Sequence, residues 1–290
     1  MHIRRSLLVA VTATALGGGI AISAATTSPT SVAAGHAVTV HAHLTASFLA
    51  EAHAALVKDL RSPDTAKFPS GQPRPGVIRE TTDAGSYNWA GYADVTSTAG
   101  TYTKVSGSWS VPAVTCTPED RITSEWVGLD GWSDDTVEQD GTSSQCFQGV
   151  ALYYSWYEMY PAGTVEVGTS VAAGDSISAS VVRTGTSYAL DLTDSTHTAN
   201  SFNETASCAA STCLDESAEF IAERPAYGST GIVPEAQFST VHFSNLSVTP
   251  LNVSDIYDIT CVDSTDTYDI VSTSGVTGGN SFTNTWQDSY

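Results

Sequence analysis

SISASVVRTGTSYALDL, from Ser176 to Leu192, decides the fold class. Ile177, Ala179 and Val181 alternate with polar residues, Thr184-Gly185-Thr186 interrupts the run, and Tyr188, Leu190 and Leu192 resume it. A period of two with a glycine-bearing break describes a β-hairpin with one buried face. Val241 with Phe243, and Ile256 with Asp258, mark further short strands, and the same Thr, Ser, Val and Tyr texture runs from Ser86 to Tyr290 without an amphipathic helix. About 205 residues of this kind can close one large core. They carry neither an internal repeat nor a second linker, so the expected architecture is a single all-β domain, an antiparallel two-sheet β-sandwich of concanavalin/lectin-like type.

The segment before this domain has a different character. Residues 1–25 carry Arg4 and Arg5, an apolar run from Leu7 to Leu16, then Gly17 to Gly19 and the small residues Ser23, Ala24 and Ala25. That is the layout of a secretory signal peptide, so the expected location is extracellular. The apolar run is too short for a membrane span of about 20 residues, and no later stretch approaches that length. In residues 26–85, Leu44, Phe48, Leu56 and Leu60 fall near helical spacing and stop at Ser62-Pro63, before a Pro/Gly-rich linker from Lys67 to Gly76. Seven of the 11 basic residues lie in the first 80 positions, against four of the 31 acidic ones. From Thr81 onward four basic residues face 27 acidic ones, a net of −23. Nucleic acid and anionic membrane are therefore excluded as expected partners. A basic, partly helical segment between a signal and an acidic domain is expected to be a propeptide that binds its own domain by charge complementarity and inhibits it.

All five cysteines (Cys116, Cys146, Cys208, Cys213 and Cys261) belong to the β-domain, and export would place them in an oxidising compartment. Cys116–Cys146 and Cys208–Cys213 are the favoured pairs with Cys261 left free and buried, although spacing alone does not fix connectivity. No CxxC pair or zinc-finger histidine accompanies them, so no metal and no cofactor is expected. Only His197 and His242 are present in the domain, neither near a GxSxG elbow, and no Asp-Thr-Gly or Asp-Ser-Gly triplet occurs. Serine, cysteine and pepsin-like aspartic devices therefore lack their usual parts.

Three runs carry chemistry. In WVGLDG (Trp126 to Gly131), strand alternation puts Trp126, Gly128 and Asp130 on one side, with Val127 and Leu129 on the other. In WYEMYP (Trp156 to Pro161), Trp156, Glu158 and Tyr160 oppose Tyr157 and Met159. In AEFIAE (Ala218 to Glu223), Glu219, Ile221 and Glu223 oppose Ala218, Phe220 and Ala222. A sheet face lined by Trp126, Asp130, Trp156, Glu158 and Glu219 would form a polar, aromatic groove suited to an extended chain or a sugar.

Taken with Gln139 and with NWAGY (Asn88 to Tyr92), these runs resemble the glutamic peptidases, or eqolisins, from about Ser86 to Phe243. The resemblance implies a secreted acid endopeptidase acting on protein or peptide substrates, with Gln139 and Glu219 as the catalytic pair. It implies that Trp126, Asp130, Trp156 and Glu158 bind substrate or orient that pair. Asp140, where Thr or Ala is expected, would add a carboxylate beside the catalytic amide. The rival reading is a secreted glycoside hydrolase or carbohydrate-binding module, with Glu158 and Glu219 acting across a sugar; Gln139 separates the two, since a two-carboxylate glycosidase has no need of it. No coiled coil or large apolar patch marks an oligomer interface, and a monomer is expected.

Overall fold

The computed structural model describes residues 82–226, 231–251 and 255–287, together with two N-terminal strands. The expected helix between Leu44 and Leu60 and the linker from Lys67 to Gly76 lie outside the described residues. The strands are β1 (Val11–Leu16), β2 (Gly19–Ala24), β3 (Thr82–Ser86), β4 (Trp89–Val95), β5 (Lys104–Ser110), β6 (Val114–Thr115), β7 (Arg121–Leu129), β8 (Val137–Phe147), β9 (Val150–Tyr160), β10 (Val165–Gly168), β11 (Ser176–Thr184), β12 (Ser187–Asp194), β13 (Phe202–Ser207), β14 (Ser217–Glu223), β15 (Gln237–Phe238), β16 (Thr240–Thr249), β17 (Ile256–Val262), β18 (Asp269–Thr273) and β19 (Phe282–Trp286). β1 and β2 pair as an antiparallel ribbon within a unit of their own, inside the stretch read as a signal. Among the described residues, no helix is long and apolar enough to cross a membrane.

Apart from β6 and β15, which pair as a separate two-stranded ribbon, the remaining strands build an antiparallel β-sandwich, as the sequence leads one to expect. One layer runs β10-β9-β8-β7-β14-β4-β17-β18-β19-β16 and the other β16-β5-β11-β12-β13. β16 belongs to both layers: Thr240 to Phe243 pair with β19, and Ser244 to Thr249 pair with β5 across a register shift. A strand that changes sheets at an irregularity is how orthogonal corners are made. One pairing departs from the antiparallel rule, because β3 runs parallel to β17.

The hairpin at Ser176 to Leu192 is β11 and β12, closed with Thr184 opposite Ser187. Gly185 adopts φ +65°, which a glycine accepts without steric cost. Ile177, Ala179, Val181, Tyr188, Leu190 and Leu192 are all buried and meet Val127, Leu129, Ala218, Phe220 and Ala222 of the other layer. The apolar faces of WVGLDG and AEFIAE thus form the inter-sheet core. A second buried cluster covers the opposite face of the large sheet, with Trp89, Trp126, Trp156, Val137, Ile221 and Ile259.

Both favoured disulfides are present, Cys116–Cys146 with a separation of 30 residues and Cys208–Cys213 with 5. Cys261 is free and buried on β17. His197 precedes a short 3₁₀ turn and contacts Asp175 at 2.9 Å, while His242 lies within β16, so both have structural settings.

Candidate active site

Strand register brings the candidate residues into one row. Ala93 on β4 pairs with Glu219 on β14, Glu219 with Gly128 on β7, Gly128 with Gln139 on β8, and Gln139 with Glu158 on β9. Partners directly across a sheet point to the same side, so Glu219, Gln139 and Glu158 share a face. Gly128 stands between the first two. Two strand spacings of about 4.8 Å place the α-carbons of Glu219 and Gln139 roughly 10 Å apart, and over the bare Gly128 between them reaches only the ring edge of Trp126. The glycine is required there, since a β-carbon would lie 2.8 Å from Trp126 Cζ3 and 3.2 Å from Gln139 Cβ.

Partners fix the amide. Gln139 Nε2 donates to Glu158 Oε2 at 2.9 Å in a buried hydrogen bond. Glu219 is held differently: among the described residues neither of its oxygens has a hydrogen bond of normal geometry, although the Ser217 hydroxyl lies close on the same face. Burial raises its pKa well above the ordinary glutamate value, the Ser217 contact works against that rise, and Asp130, Asp134 and Glu138 add to it. Glu219 is thus a buried carboxyl whose protonated form is favoured by its surroundings.

One step along the sheet, Ile221, Trp126, Gly141 and Trp156 form the next row. Gly141 is bare because a β-carbon would lie 2.7 Å from Trp126 Cβ. Trp126 Nε1 donates to Glu223 Oε2 at 2.9 Å, and Asn88 Nδ2 donates to Glu223 Oε1 at 3.1 Å. Trp89 meets Trp126 edge to face, with centroids 5.1 Å apart. Sequence reasoning placed Glu223 on this face without a task. Its signal was the repeat of Glu at i and i+4 in AEFIAE.

Three expectations need correction. Asp130 does not share the face, because it leaves the strand with φ +70° and β7 ends at Leu129. Its carboxylate instead accepts backbone N–H groups of Asp215 at 2.7 Å and Glu216 at 2.8 Å. Asp140 is not beside the Gln139 amide either. It follows Gln139 on an extended strand and so points to the other side, where the charge of Asp191 on the facing sheet adds to the rise in its pKa. Third, the expected open groove is a buried surface in which Trp126, Trp156, Gln139 and Glu219 are each 0% exposed and Glu158 is 1% exposed.

Asp130, Glu138 and Asp215 bring ligand atoms within 4.8 Å of one another, a spacing that could hold a cation. Protein groups already serve two of them, since Asp130 accepts the backbone N–H groups of Asp215 and Glu216, and Asp215 Oδ1 accepts the Tyr188 hydroxyl at 2.8 Å and pairs with Arg183 Nε at 3.2 Å. Burial, helped by Asp130 and Asp215, pushes Glu138 up to about 10, so it holds a proton below that pH. A shared proton therefore accounts for the cluster.

A sequence model described as the peptidase A4 family matches residues 87–286. Among solved structures the chain is similar to scytalido-glutamic peptidase bound to a transition-state analogue inhibitor, at 27% identity and TM-score 0.60, covering 69% of this chain and 98% of that one. It is also similar to SCP-B, an eqolisin-family peptidase solved with the tripeptide Ala-Ile-His, at 26% identity and TM-score 0.55, with the same coverage. No curated protein sequence matches it significantly. With the family model spanning the sandwich from β4 to β19 and the fold reproduced in those structures, the chain belongs to the peptidase A4 family, the glutamic peptidases.

Proposed function

We propose that the protein is a secreted endopeptidase that works in acid, using Glu219 and Gln139 to add water across a peptide bond. The observation that carries this reading is the row in which Glu219 and Gln139 flank a bare Gly128 while Glu158 holds the amide. Amide hydrolysis without a metal or a covalent nucleophile needs a base for water and a donor for the developing oxyanion. Ionised Glu219 takes a proton from water as it attacks the carbonyl carbon, then returns that proton to the leaving amine. Gln139 Nε2, oriented by its bond to Glu158, donates to the developing oxyanion. A raised pKa makes ionised Glu219 a stronger base, and it also protonates the group in stronger acid, so activity should fall away where the pH drops below that raised value. Structures of similar proteins with a transition-state analogue and with a tripeptide support a peptide as the substrate class.

The rival sugar chemistry is poorly served by this geometry. Glu219 and Glu158 stand three strands apart, about 14 Å between α-carbons, and Glu158 is engaged with Gln139. In this reading residues 1–25 are a signal, the basic stretch from Lys58 to Arg79 inhibits the acidic domain until acid neutralises its carboxylates, and the mature enzyme acts as a monomer. Digestion of a denatured protein at acid pH is the test. Cleavage by the wild type that resists pepstatin and EDTA and vanishes in Glu219→Gln supports the proposal; cleavage that survives in that variant, or stops with EDTA, refutes it.

A further inference from the structure

We propose that Glu223 is a positioning residue for peptide hydrolysis, acting through the indole of Trp126 on the space between Glu219 and Gln139. The proposal rests on the Glu219 and Gln139 reading above. Two glycines let the indole lie flat on the sheet. Gly141 leaves room beside the Trp126 β-carbon, and Gly128 leaves room for the far ring edge, whose Cζ3 and Cε3 lie 2.8 and 3.2 Å from where a β-carbon would stand. The ring edge therefore borders the gap between the general base and the amide. A tryptophan has only two side-chain torsions to fix, and both are held. Trp89 packs against the ring edge to face, and the bond from Nε1 to Glu223 Oε2 sets its rotation. Glu223 is itself anchored by Asn88 Nδ2.

Removing the acceptor strands a buried N–H, which costs more than the bond is worth and favours a shifted ring. A shifted ring either intrudes on the gap or admits a second water, and both outcomes misplace the attacking one. Small misplacements of this kind cost on the order of 10²-fold in rate. Glu223 lies four residues along β14 from Glu219 and acts through the indole, so it is expected to act on kcat with KM little changed.

The test is a double-mutant cycle on the full-length enzyme after acid maturation, with kcat and KM measured on a peptide. Glu223→Ala should lower kcat on the order of 10²-fold. Trp126→Phe, which has no N–H to place, should lower it too, and adding Glu223→Ala to Trp126→Phe should cost nothing more. Glu223→Gln keeps an acceptor for the indole and should recover most of the loss; it also serves if the alanine variant fails to fold. Additive losses in the double variant, unchanged kcat in a folded Glu223→Ala, or a Glu223→Gln as impaired as the alanine would each overturn the proposal. Glu219→Gln and Gln139→Ala are assayed beside them. Activity in those two would refute the catalytic pair, whereas inactive pair variants with an additive cycle would refute only the role of Glu223.

Discussion

Strand β8 faces two different interiors. Toward the candidate site it presents Val137, Gln139 and Gly141; toward the facing sheet it presents Glu138, Asp140 and Thr142, all fully buried. On the first side the polar group is oriented, because Gln139 donates to Glu158. On the second, Thr142 accepts from Trp109 Nε1 at 2.9 Å, while neither oxygen of Asp140 or Glu138 has a hydrogen bond of normal geometry among the described residues. Burial raises Asp140 far above the ordinary aspartate value and Glu138 to about 10. Glu125 and Glu235 are pushed up to about 8 and Asp130 to about 7, each chiefly by burial. On the proposed function the site face supplies the chemistry, and the buried carboxyls of the inter-sheet face supply most of a pH window.

The sign of that window follows from proton binding. These carboxyls have higher pKa values folded than unfolded, so between about pH 4 and their folded values the native state binds more protons than the denatured one. Their contribution to stability is complete below about pH 4 and is lost progressively as pH rises through the folded values, from about 7 for Asp130 to about 10 for Glu138. The net charge of −23 from Thr81 onward pushes the same way, since ionised carboxylates repel one another with few cations to offset them.

The two faces can be separated by substitution. The largest effect belongs to the site side: Gln139→Ala should lower kcat by on the order of 10²–10³-fold, and Glu219→Gln should abolish turnover, with melting temperature in acid unchanged. A variant of either that kept wild-type kcat would break the comparison at its first term. Next comes the Cys116–Cys146 bridge, which ties the far end of β8 to the loop before β7. Replacing both cysteines by alanine should cost about 3–4 kcal/mol in the chain-entropy model, read by denaturant unfolding, and leave kcat in acid unaltered. Asp140→Asn probes the inter-sheet side. Circular dichroism against pH should show the upper unfolding midpoint moved to higher pH, with kcat in acid near wild type. A loss of kcat there would mean that the two faces are not independent. Glu158→Gln retains an acceptor without the charge, and a decrease in kcat of roughly tenfold is expected.

Much of this was legible in the residues because β-structure has a period of two. The hairpin at Ser176 to Leu192 and the faces of WVGLDG and AEFIAE lie where alternation puts them. Both disulfides follow the favoured pairing. Alternation failed at Asp130 because it applies only while the strand continues, and a positive φ at that residue redirects its side chain. At Asp140 the same period puts the carboxyl on the face opposite Gln139, because neighbours in a strand sequence are not neighbours in space. The burial of the aromatic face and the pinning of Trp126 by Glu223 depend on contacts between distant strands. No local pattern encodes them.

The most direct test of the account is the pH dependence of kcat/KM on a short peptide, followed with near-UV circular dichroism on the same sample. An acid limb set by Glu219 should lie above the ordinary glutamate pKa of about 4.3, because burial raises that carboxyl. The maximum should fall on the acid side of neutrality, and the decline above it should coincide with loss of the tertiary signal. A maximum at pH 7 or above, with the fold intact, would contradict both the role of Glu219 and the acid-held core.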